Sequence, residues 1–347
     1  MALLITKGFI DLLIIGNQTR PCIFDLSVRR LDKLYDKVIE VDERVMVEGF
    51  TEDPEPQPIE AASDPQLVEG LSGEAVGILK TPDSSVIRND LKQLWDEGYQ
   101  SLAIALMHSY AYSEHEERVA DIAREIGFNI AVSSHLQRMV KIVPRAQLAI
   151  TDAYLSPITQ EYLKSFARGF EGEFKDEKGS NRLLLSQSDG ALTSFQKFTG
   201  LHAILAGPAG GVVGMARTCW DAKNGTPVLG FNMGGTSTDV SRYGGTFEHV
   251  FESTTAEVTI QSPQLDIKTV AAGRGSMLFW QNGLFAVGPD TARACPGGAM
   301  GACRYFGEAQ KVCRVTGIVS LDGLLFRQCG DIRGGDDFTR RLENDCS

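Results

Sequence analysis

The sequence predicts an α/β protein whose sheet has a parallel component. The clearest observation is residues 101–108 (SLAIALMH), a continuous apolar run typical of a strand buried on both faces. An amphipathic helix pattern follows it, and residues 128–133 then return as a second apolar run. A strand, a helix and a strand in succession indicate a β-α-β unit, which is the building block of α/β folds.

Further elements near the start of the chain follow from hydrophobic spacing and cap signals. Residues 2–6 are predicted as a short buried strand. Ser113 and Glu116 have the spacing of a capping box, which predicts a helix that starts there and ends at Gly127. Residues 85–98 are predicted as an amphipathic helix, with the apolar positions Val86, Leu91, Leu94 and Trp95.

The second half of the chain is predicted to continue the α/β pattern. Residues 145–170 read as one long helix or as two helices joined at Pro157. The remaining predicted elements are a strand at 183–185, a turn at 188–190 and a stretch at 203–216 that becomes a small-residue helix after Pro208. Strands at 228–232 and 237–243 follow, and then a β-ribbon to about residue 288 with a hairpin turn at Asn282-Gly283.

Composition and charge exclude several kinds of partner. Lys and Arg number 34 against 45 Asp and Glu, a net charge of −11, so no nucleic-acid partner is expected. No apolar run reaches the roughly 20 residues that cross a bilayer, so no membrane partner is expected either. The first residues lack the basic segment of a signal peptide, which makes a cytosolic location the expectation. The cysteines show no C-x-x-C spacing, which argues against a zinc site.

The strongest functional signal lies at residues 230–243 (GFNMGGTSTDVSRY), since P-loop, nucleophile-elbow and H-E-x-x-H motifs are missing from the sequence. Gly234 and Gly235 allow the backbone to approach an anion closely, and consecutive N–H groups in such a turn form an anion-binding nest. The hydroxyl donors that follow are Thr236, Ser237 and Thr238. Asp239 is placed to hold a water or Mg²⁺ beside phosphates. The alternative is an ordinary glycine-containing β-hairpin.

This segment resembles the second phosphate loop (D-x-G-G-T-x-x-D) of the superfamily of sugar kinases, actin and heat-shock-chaperone ATPases. Its sequence M-G-G-T-S-T-D-V is similar to the corresponding loop of the hydantoinase A/5-oxoprolinase family in particular, and most of all to that of the eukaryotic type. The resemblance covers residues 1 to about 290. Other stretches that agree with the family in order are 7–11 (KGFID), 41–45 (VDERV), 107–110 (MHSY), 115–116 (HE), 188–190 (SDG), 207–214 (GPAGGVVG) and 264–273 (QLDIKTVAAG).

The resemblance implies a partial ribonuclease-H-like ATPase lobe joined to an α/β segment of the family's N-terminal region. It implies ATP and Mg²⁺ as cofactors, 5-oxo-L-proline as the small-molecule substrate, hydrolysis to glutamate in the glutathione cycle, and a homodimeric parent. Asn232 stands where the family's loop begins with Asp, so Asn232 and Asp239 are the expected metal position. The alternatives are a hydantoinase or acetone-carboxylase-type subunit of the same family, or a non-catalytic truncated product.

Two further groups of residues receive roles. Gly207, Gly210, Gly211 and Gly214 are expected to form a hinge helix, since the superfamily's helix before the second phosphate strand crosses closely between two lobes. Direct ligand contact is the alternative for these glycines. Asp266 is expected to be a catalytic carboxylate, and the alternative is a carboxylate that caps a turn.

The chain also departs from the family pattern. It begins after the family's first phosphate loop and lacks the family's further half, so the isolated chain is expected to be inactive. After residue 290 the resemblance stops, which favours a frame change or altered splice. The expected divisions are residues 1–134 of the N-terminal region with an acidic Pro-rich surface loop at 51–66, an ATPase-like domain at 135–290, and a poorly ordered Cys-rich tail at 291–347.

Overall fold

The computed structural model describes residues 1–16, 33–49, 52, 54–55, 66–170, 183–234, 237–255, 258–273, 276–281, 284–291, 318–320 and 326–327. The chain divides into two compact units, of which the first holds 1–185, 192–204 and 250–263, and the second holds 186–191, 205–249 and 264–347. Most of the predicted loop at 51–66, the predicted turn at Asn282-Gly283 and most of the tail lie outside the described residues.

Helices and strands alternate through much of the described chain, so the predicted α/β class is confirmed. The helices are α1 (Leu12–Ile15), α2 (Ser84–Asp96), α3 (Glu114–Ile126), α4 (Ser133–Leu136), α5 (Ile142–Ala167), α6 (Gly200–Ala203) and α7 (Ala206–Thr218), with a 3₁₀ turn at Phe195–Lys197. None of the helices in the described ranges is long and apolar enough to cross a membrane.

The strands are short, as is usual in α/β proteins. They are β1 (Ala2–Thr6), β2 (Lys37–Val41), β3 (Arg44–Gly49), β4 (Leu67–Glu69), β5 (Ala75–Lys80), β6 (Ser101–Ala105), β7 (Asn129–Val132), β8 (Leu184–Ser186), β9 (Leu192–Ser194), β10 (Val228–Met233), β11 (Thr238–Tyr243), β12 (His249–Val250), β13 (Ser253–Thr255), β14 (Val258–Ile260), β15 (Gln264–Leu265), β16 (Ile267–Val270), β17 (Ser276–Gln281), β18 (Leu284–Thr291), β19 (Ile318–Ser320) and β20 (Phe326–Arg327).

A four-stranded parallel sheet of order β2-β1-β6-β7 forms the centre of the first unit. All residues of β1 are buried because both faces of the sheet are covered. Ala2 and Leu4 pack into one core with residues of α2 and α3. Leu3 and Ile5 point the other way and pack against α5. The β-α-β unit made by β6, α3 and β7 confirms the parallel component predicted from the sequence.

The apolar face of α2 differs from the predicted one. Ile87, Leu91 and Leu94 are the buried residues of this helix. Val86 and Trp95 were predicted on that face but are 52% and 40% exposed. The i, i+4, i+7 spacing that begins at Ile87 makes the buried stripe, and Val86 lies beside it, about a quarter of a turn from the nearest member.

The predicted capping box at the start of α3 is wrong. Ser113 makes no side-chain hydrogen bond as N-cap of the helix. Glu116 is fully buried instead of reaching back over the first turn. The predicted end is confirmed, because Gly127 caps the helix in the left-handed conformation with φ of 111°.

Of the two alternatives for the next helix, the single helix is the observed one. Helix α5 runs for 26 residues with Pro157 inside it. Asp152, on its buried side, accepts hydrogen bonds from the backbone N–H of Leu201 at 3.1 Å and from the Ser156 hydroxyl at 2.9 Å. Ser156 in turn accepts from the backbone N–H of Gly200 at 2.9 Å. These bonds dock α6 onto α5.

An antiparallel sheet of order β16-β11-β10-β19-β20 characterises the second unit. The predicted strand pair is confirmed as the hairpin β10–β11, in which Asn232 lies opposite Asp239. Helix α7 packs on one face of this sheet through Ala209, Val212 and Met215. Side chains two residues apart along a strand point to the same face of the sheet. By this alternation, Asn232 and Asp239 lie on the face against which α7 packs.

Gly200→Ala is expected to lower the free energy of unfolding by about 1–3 kcal/mol, because overpacking against fixed backbone strains the fold. A Cβ at position 200 would lie 2.5 Å from the Cβ of Leu155 and 2.5 Å from the backbone N of Ser156. Urea unfolding followed by circular dichroism measures the change. The matched control is Gly214→Ala in α7, where an added Cβ has no neighbour within 4 Å and a gain of up to about 1 kcal/mol is expected. Equal effects of the two substitutions would contradict the docking of α6 on α5.

Candidate functional site

Three polar side chains meet at the end of the β10–β11 hairpin in the second unit. The side-chain amide of Asn232 donates to Asp239 Oδ2 at 3.5 Å. Thr269, opposite Asp239 in the register of β11 and β16, donates its hydroxyl to Asp239 Oδ1 at 2.9 Å. A Cβ added at Gly211 of α7 would lie 3.9 Å from the Asn232 amide nitrogen. The hairpin therefore presents one oriented carboxylate, with an amide beside it, close to the backbone of a glycine-rich helix.

The loop that joins β10 and β11 is held by its own hydrogen bonds. The backbone N–H of Gly234 donates to the carbonyl of Ser237 at 2.9 Å. Thr238 is buried, and its hydroxyl donates to the carbonyl of Ala272. Gly235 and Thr236 lie outside the described residues. The phosphate-binding role of residues 234–238 stays a prediction, and the described groups show that the turn is anchored at both of its ends.

The glycines of α7 mostly face open space. An added Cβ would meet no atom within 4 Å at Gly207 or Gly214, and at Gly210 only the Ser186 hydroxyl at 4.0 Å. The close approach between helix and sheet is made at Gly230 of β10, where a Cβ would lie 2.4 Å from Met215 Sδ. The hinge role of the four helix glycines stays a prediction.

Asp266 does not join the polar group at the hairpin end. Its carboxylate pairs with Lys268 Nζ at 2.7 Å. Lys268 neighbours Thr269 on β16, so these two side chains point to opposite faces of the sheet. Asp266 therefore lies on the face opposite to Asp239, and its catalytic role stays a prediction.

The described residues contain no group of three or more His, Cys, Asp or Glu side chains that could hold a metal ion. Mg²⁺ does not need such a group, because it keeps several waters and is commonly bound by one or two carboxylates together with the phosphates of a nucleotide. Asp239 and the amide oxygen of Asn232 fit that donor set.

A second polar cluster lies in the first unit, at the carboxyl ends of the parallel strands. Each of the four strands is followed by a buried polar residue of this cluster or ends in one. Such residues meet at one edge because the strands are parallel, and this edge is the usual ligand side of open α/β sheets. The four residues are Thr6 of β1, Glu43 after β2, Ser109 after β6 and Ser133 after β7.

Glu116 of α3 is the acceptor at the centre of this cluster. Its Oε1 accepts from the backbone N–H of Leu106 at 2.8 Å, from the Ser109 hydroxyl at 2.9 Å and from the Ser133 hydroxyl at 2.6 Å. Its Oε2 accepts from the backbone N–H of Ser134 at 3.0 Å. A carboxylate without access to water is stable only with its oxygens satisfied in this way.

Arg145 of α5 supplies the compensating charge. Its guanidinium is fully buried and lies 3.4 Å from Glu116 Oε1. It also donates to the Ser133 hydroxyl at 2.6 Å, to the carbonyl of Leu106 at 2.8 Å and to the carbonyl of Met139 at 3.1 Å. Burial lowers the pKa of Arg145 from its ordinary value, and the charge of Glu116 opposes that shift.

Glu43 and His115 form a second buried pair beside the first. His115 Nδ1 lies 2.8 Å from Glu43 Oε2, and both side chains are at most 3% exposed. The Thr6 hydroxyl donates to the other oxygen of Glu43 and accepts from the backbone N–H of Met107 at 2.8 Å. The Glu116–Arg145 pair and the Glu43–His115 pair therefore hold the segment that follows β6 from two sides, the second pair through the Thr6 hydroxyl.

His108 occupies that fastened segment in an unusual conformation. Its φ is 56°, which makes it the one non-glycine residue with positive φ in the described part of the chain. Its Nδ1 is buried and has no hydrogen-bond partner among the described residues. Burial and the positive charge of Arg145 lower the pKa of His108 below its ordinary value, which favours the neutral imidazole.

Sequence reasoning did not assign functions to the residues of this carboxyl-edge cluster. Four residues of this edge were named only as part of stretches that resemble a family: Lys7, Glu43, His108 and His115. Glu116 was predicted to be a capping residue. One sequence signal for the cluster is that polar residues come at the end of two apolar runs, Thr6 after residues 2–5 and His108 after residues 102–107. The burial of Arg145 leaves no signal in local spacing, because it depends on the packing of α5.

Comparisons with known proteins place these features in context. Residues 1–127 match the family profile described as Hydantoinase/oxoprolinase N-terminal region, and residues 145–313 match the profile described as Hydantoinase/oxoprolinase. The second match extends past residue 290, where the resemblance was expected to end. A 5-oxoprolinase of Saccharomyces cerevisiae is 51% identical over 300 residues, which make up 86% of this chain and 23% of that protein.

Two solved structures share the fold at low sequence identity. An ATP-dependent caprolactamase from Pseudomonas jessenii aligns with a TM-score of 0.60 and 22% identity, over 85% of this chain and 40% of that one. A nucleotide-free acetone carboxylase aligns with a TM-score of 0.59 and 20% identity, over 84% of this chain and 39% of that one. The chain thus spans well under half the length of the proteins that it matches.

Glu116→Gln is expected to lower the free energy of unfolding by about 3 kcal/mol, because it leaves the buried Arg145 charge without its partner. The matched control is Glu125→Gln in the same helix. Glu125 pairs with Arg88 at 2.6 Å, but its side chain is 59% exposed, so a loss below about 1 kcal/mol is expected. Urea unfolding of both variants measures the difference. A loss for Glu116→Gln no larger than that of the control would contradict the central role of this carboxylate.

The lowered pKa of His108 predicts a pH dependence of stability. The unfolded chain binds a proton at His108 at a higher pH than the folded chain does, so this residue makes stability fall as the pH is lowered through about 6.5. His108→Asn removes that contribution and suits a positive φ, which Asn tolerates better than most residues. Urea unfolding at pH 7, 6 and 5 is expected to show a smaller acid loss for the variant. Identical pH profiles would mean that the histidine titrates normally in the folded protein.

Proposed function

The chain belongs to the hydantoinase/oxoprolinase family, and on that premise we propose that it forms the nucleotide-binding part of an ATP-dependent cyclic-amide hydrolase whose substrate is 5-oxo-L-proline. The relative named 5-oxoprolinase supports this substrate, and the neighbour titled ATP-dependent caprolactamase supports the use of ATP on a lactam. The second unit is proposed as a partial ribonuclease-H-like lobe.

The proposed chemistry explains why ATP is needed. The amide of a five-membered lactam is stabilised by resonance, so water attacks its carbonyl carbon poorly. Transfer of the γ-phosphoryl group to the amide oxygen releases ADP and leaves a more electrophilic carbon. A first water attacks this carbon and the ring C–N bond breaks, which leaves the free amine and an acyl phosphate. A second water then hydrolyses the acyl phosphate, which releases phosphate and gives glutamate. The protein's part in such a transfer is to position the phosphates and to stabilise their charge.

The observation that carries the proposal is the arrangement at the end of the β10–β11 hairpin. Thr269 fixes one oxygen of Asp239 at 2.9 Å, which leaves Oδ2 directed toward Asn232. We propose that Asp239 and Asn232 hold the Mg²⁺ that accompanies ATP, and that the loop at 234–238 receives the phosphates. Bound Mg²⁺ would neutralise phosphate charge, and the residues of the chain would supply its orientation.

Asp239→Asn is expected to weaken Mg²⁺·ATP binding by about tenfold or more, because an amide replaces the only charge at the proposed metal position. Calorimetric titration of the 347-residue chain with ATP, with and without Mg²⁺, measures the effect. Asp221→Asn is the control, since Asp221 lies on an exposed loop of the same unit and accepts from the backbone N–H of Lys223. Unchanged binding by Asp239→Asn would place the nucleotide elsewhere.

Asn232→Asp tests the same site in the opposite direction. The substitution places two carboxylates where an amide and a carboxylate are now 3.5 Å apart. Without a cation they repel each other, so the melting temperature is expected to fall, and with Mg²⁺ it is expected to recover and binding of ATP to tighten. Equal Mg²⁺ dependence of the variant and the unchanged chain would show that residue 232 does not contact the metal.

A further inference from the structure

Three stretches that the proposed function leaves without a role converge at the carboxyl edge of the parallel sheet. They are the segments at 7–9, 42–44 and 107–110. The Arg44 guanidinium donates to the carbonyl of Lys7 at 3.0 Å and lies over the Phe9 ring, 5.3 Å from its centroid. The third segment is tied to the first, since the backbone N–H of Met107 donates to Thr6. Chain segments far apart in sequence thus form one surface within the first unit.

The conformation of His108 is imposed by its surroundings. Its carbonyl accepts from the backbone N–H groups of Ala111 at 2.9 Å and Tyr112 at 3.0 Å. On either side of it, Met107 is bound to Thr6 and Ser109 to Glu116. A non-glycine residue in the left-handed region is strained and persists only where neighbouring contacts determine it, most often at functional sites.

Two buried polar atoms at this edge have no partner among the described residues. They are His108 Nδ1 and the hydroxyl oxygen of Ser134, which follow the neighbouring strands β6 and β7. Leaving such an atom unpaired is unfavourable. The buried carboxylates Glu43 and Glu116 are bonded to other groups, among them His115 and Arg145. The missing partner of His108 Nδ1 therefore has to come from outside the described residues.

The charges at the edge indicate what kind of molecule fits. Arg44 is permanently charged. Its charge makes a minor contribution to the lowered pKa of His108, after burial and Arg145, and Glu43 acts in the opposite direction. A neutral imidazole has one donor and one acceptor, which match the carbonyl and N–H of an amide. A guanidinium matches a carboxylate. Phe9 and Tyr110 add aromatic surface at the same edge, as is common in small-molecule sites.

We infer that the carboxyl edge of the parallel sheet binds a small cyclic amide that carries a carboxylate, with Arg44 receiving the carboxylate and His108 bonding the ring amide. This inference rests on the proposed function, because it takes 5-oxo-L-proline as the member of that class. The Glu116–Arg145 and Glu43–His115 pairs act as positioning groups that hold His108 in place.

The test is nuclear magnetic resonance of the 347-residue chain with isotope-labelled histidine rings. The His108 signal is assigned with His108→Asn, and His135, which is 44% exposed in the same unit, serves as the reference. Addition of 5-oxo-L-proline is expected to shift the His108 signal saturably and to leave that of His135 unchanged. L-Proline, which lacks the ring carbonyl, and 2-pyrrolidinone, which lacks the carboxylate, are each expected to bind about tenfold more weakly.

Arg44→Met keeps an unbranched, largely apolar stem and removes the guanidinium with its charge, so it is expected to weaken 5-oxo-L-proline binding by about tenfold. Arg88→Met, at an exposed ion pair, is the control and should bind normally. A His108 signal that does not move, or that moves equally in Arg44→Met, would overturn the inference. If ATP binds the chain while 5-oxo-L-proline leaves His108 unaffected, the proposed function stands and this site is wrong. If 5-oxo-L-proline binds at His108 but ATP does not bind the chain, this site stands and the proposed nucleotide-binding function is wrong.

Discussion

The carboxylate of Glu116 has no access to solvent, so the protein has to supply hydrogen-bond donors to both of its oxygens. It does so with groups from the ends of β6 and β7 and with the guanidinium of Arg145 on α5. A single side chain thereby links two neighbouring strands, the crossover helix α3 and the long helix α5. Removing one member would leave the others buried and unpaired, which costs more than the pair contributes when intact.

This constraint acts at the carboxyl edge of the first unit, and the hairpin cluster of the second unit is held differently. At the carboxyl edge, the chain after β6 is fixed from both sides, so His108 stays in a conformation that few residues adopt. At the hairpin end of the second unit, by contrast, Asp239 is held by one hydroxyl and stands beside one amide. The first arrangement is tied by several buried hydrogen bonds, whereas the second holds a partly exposed carboxylate by a single hydroxyl.

Much of the architecture could be predicted from the sequence. Strands β1, β6 and the two strands of the hairpin are marked by apolar runs and glycine turns, which are local patterns in the sequence. The capping box failed for a physical reason. Glu116 has the sequence position of a capping residue. In the folded chain it instead meets five donors, four from the segments after β6 and β7 and one from Arg145 of α5. The burial of Arg145 beside Glu116 and the missing hydrogen-bond partner of His108 Nδ1 could not be predicted. Both depend on which segments the fold brings together.

The most direct measurement is hydrogen exchange of the backbone N–H groups of Leu106 and Ser134, the two amides that donate to Glu116. If this carboxylate holds the edge together, both amides will exchange as slowly as the buried centre of β6. In Glu116→Gln they will exchange much faster, while amides such as that of Ala103 in β6 slow down or speed up only with overall stability. Fast exchange of Leu106 and Ser134 in the unchanged protein would contradict the account.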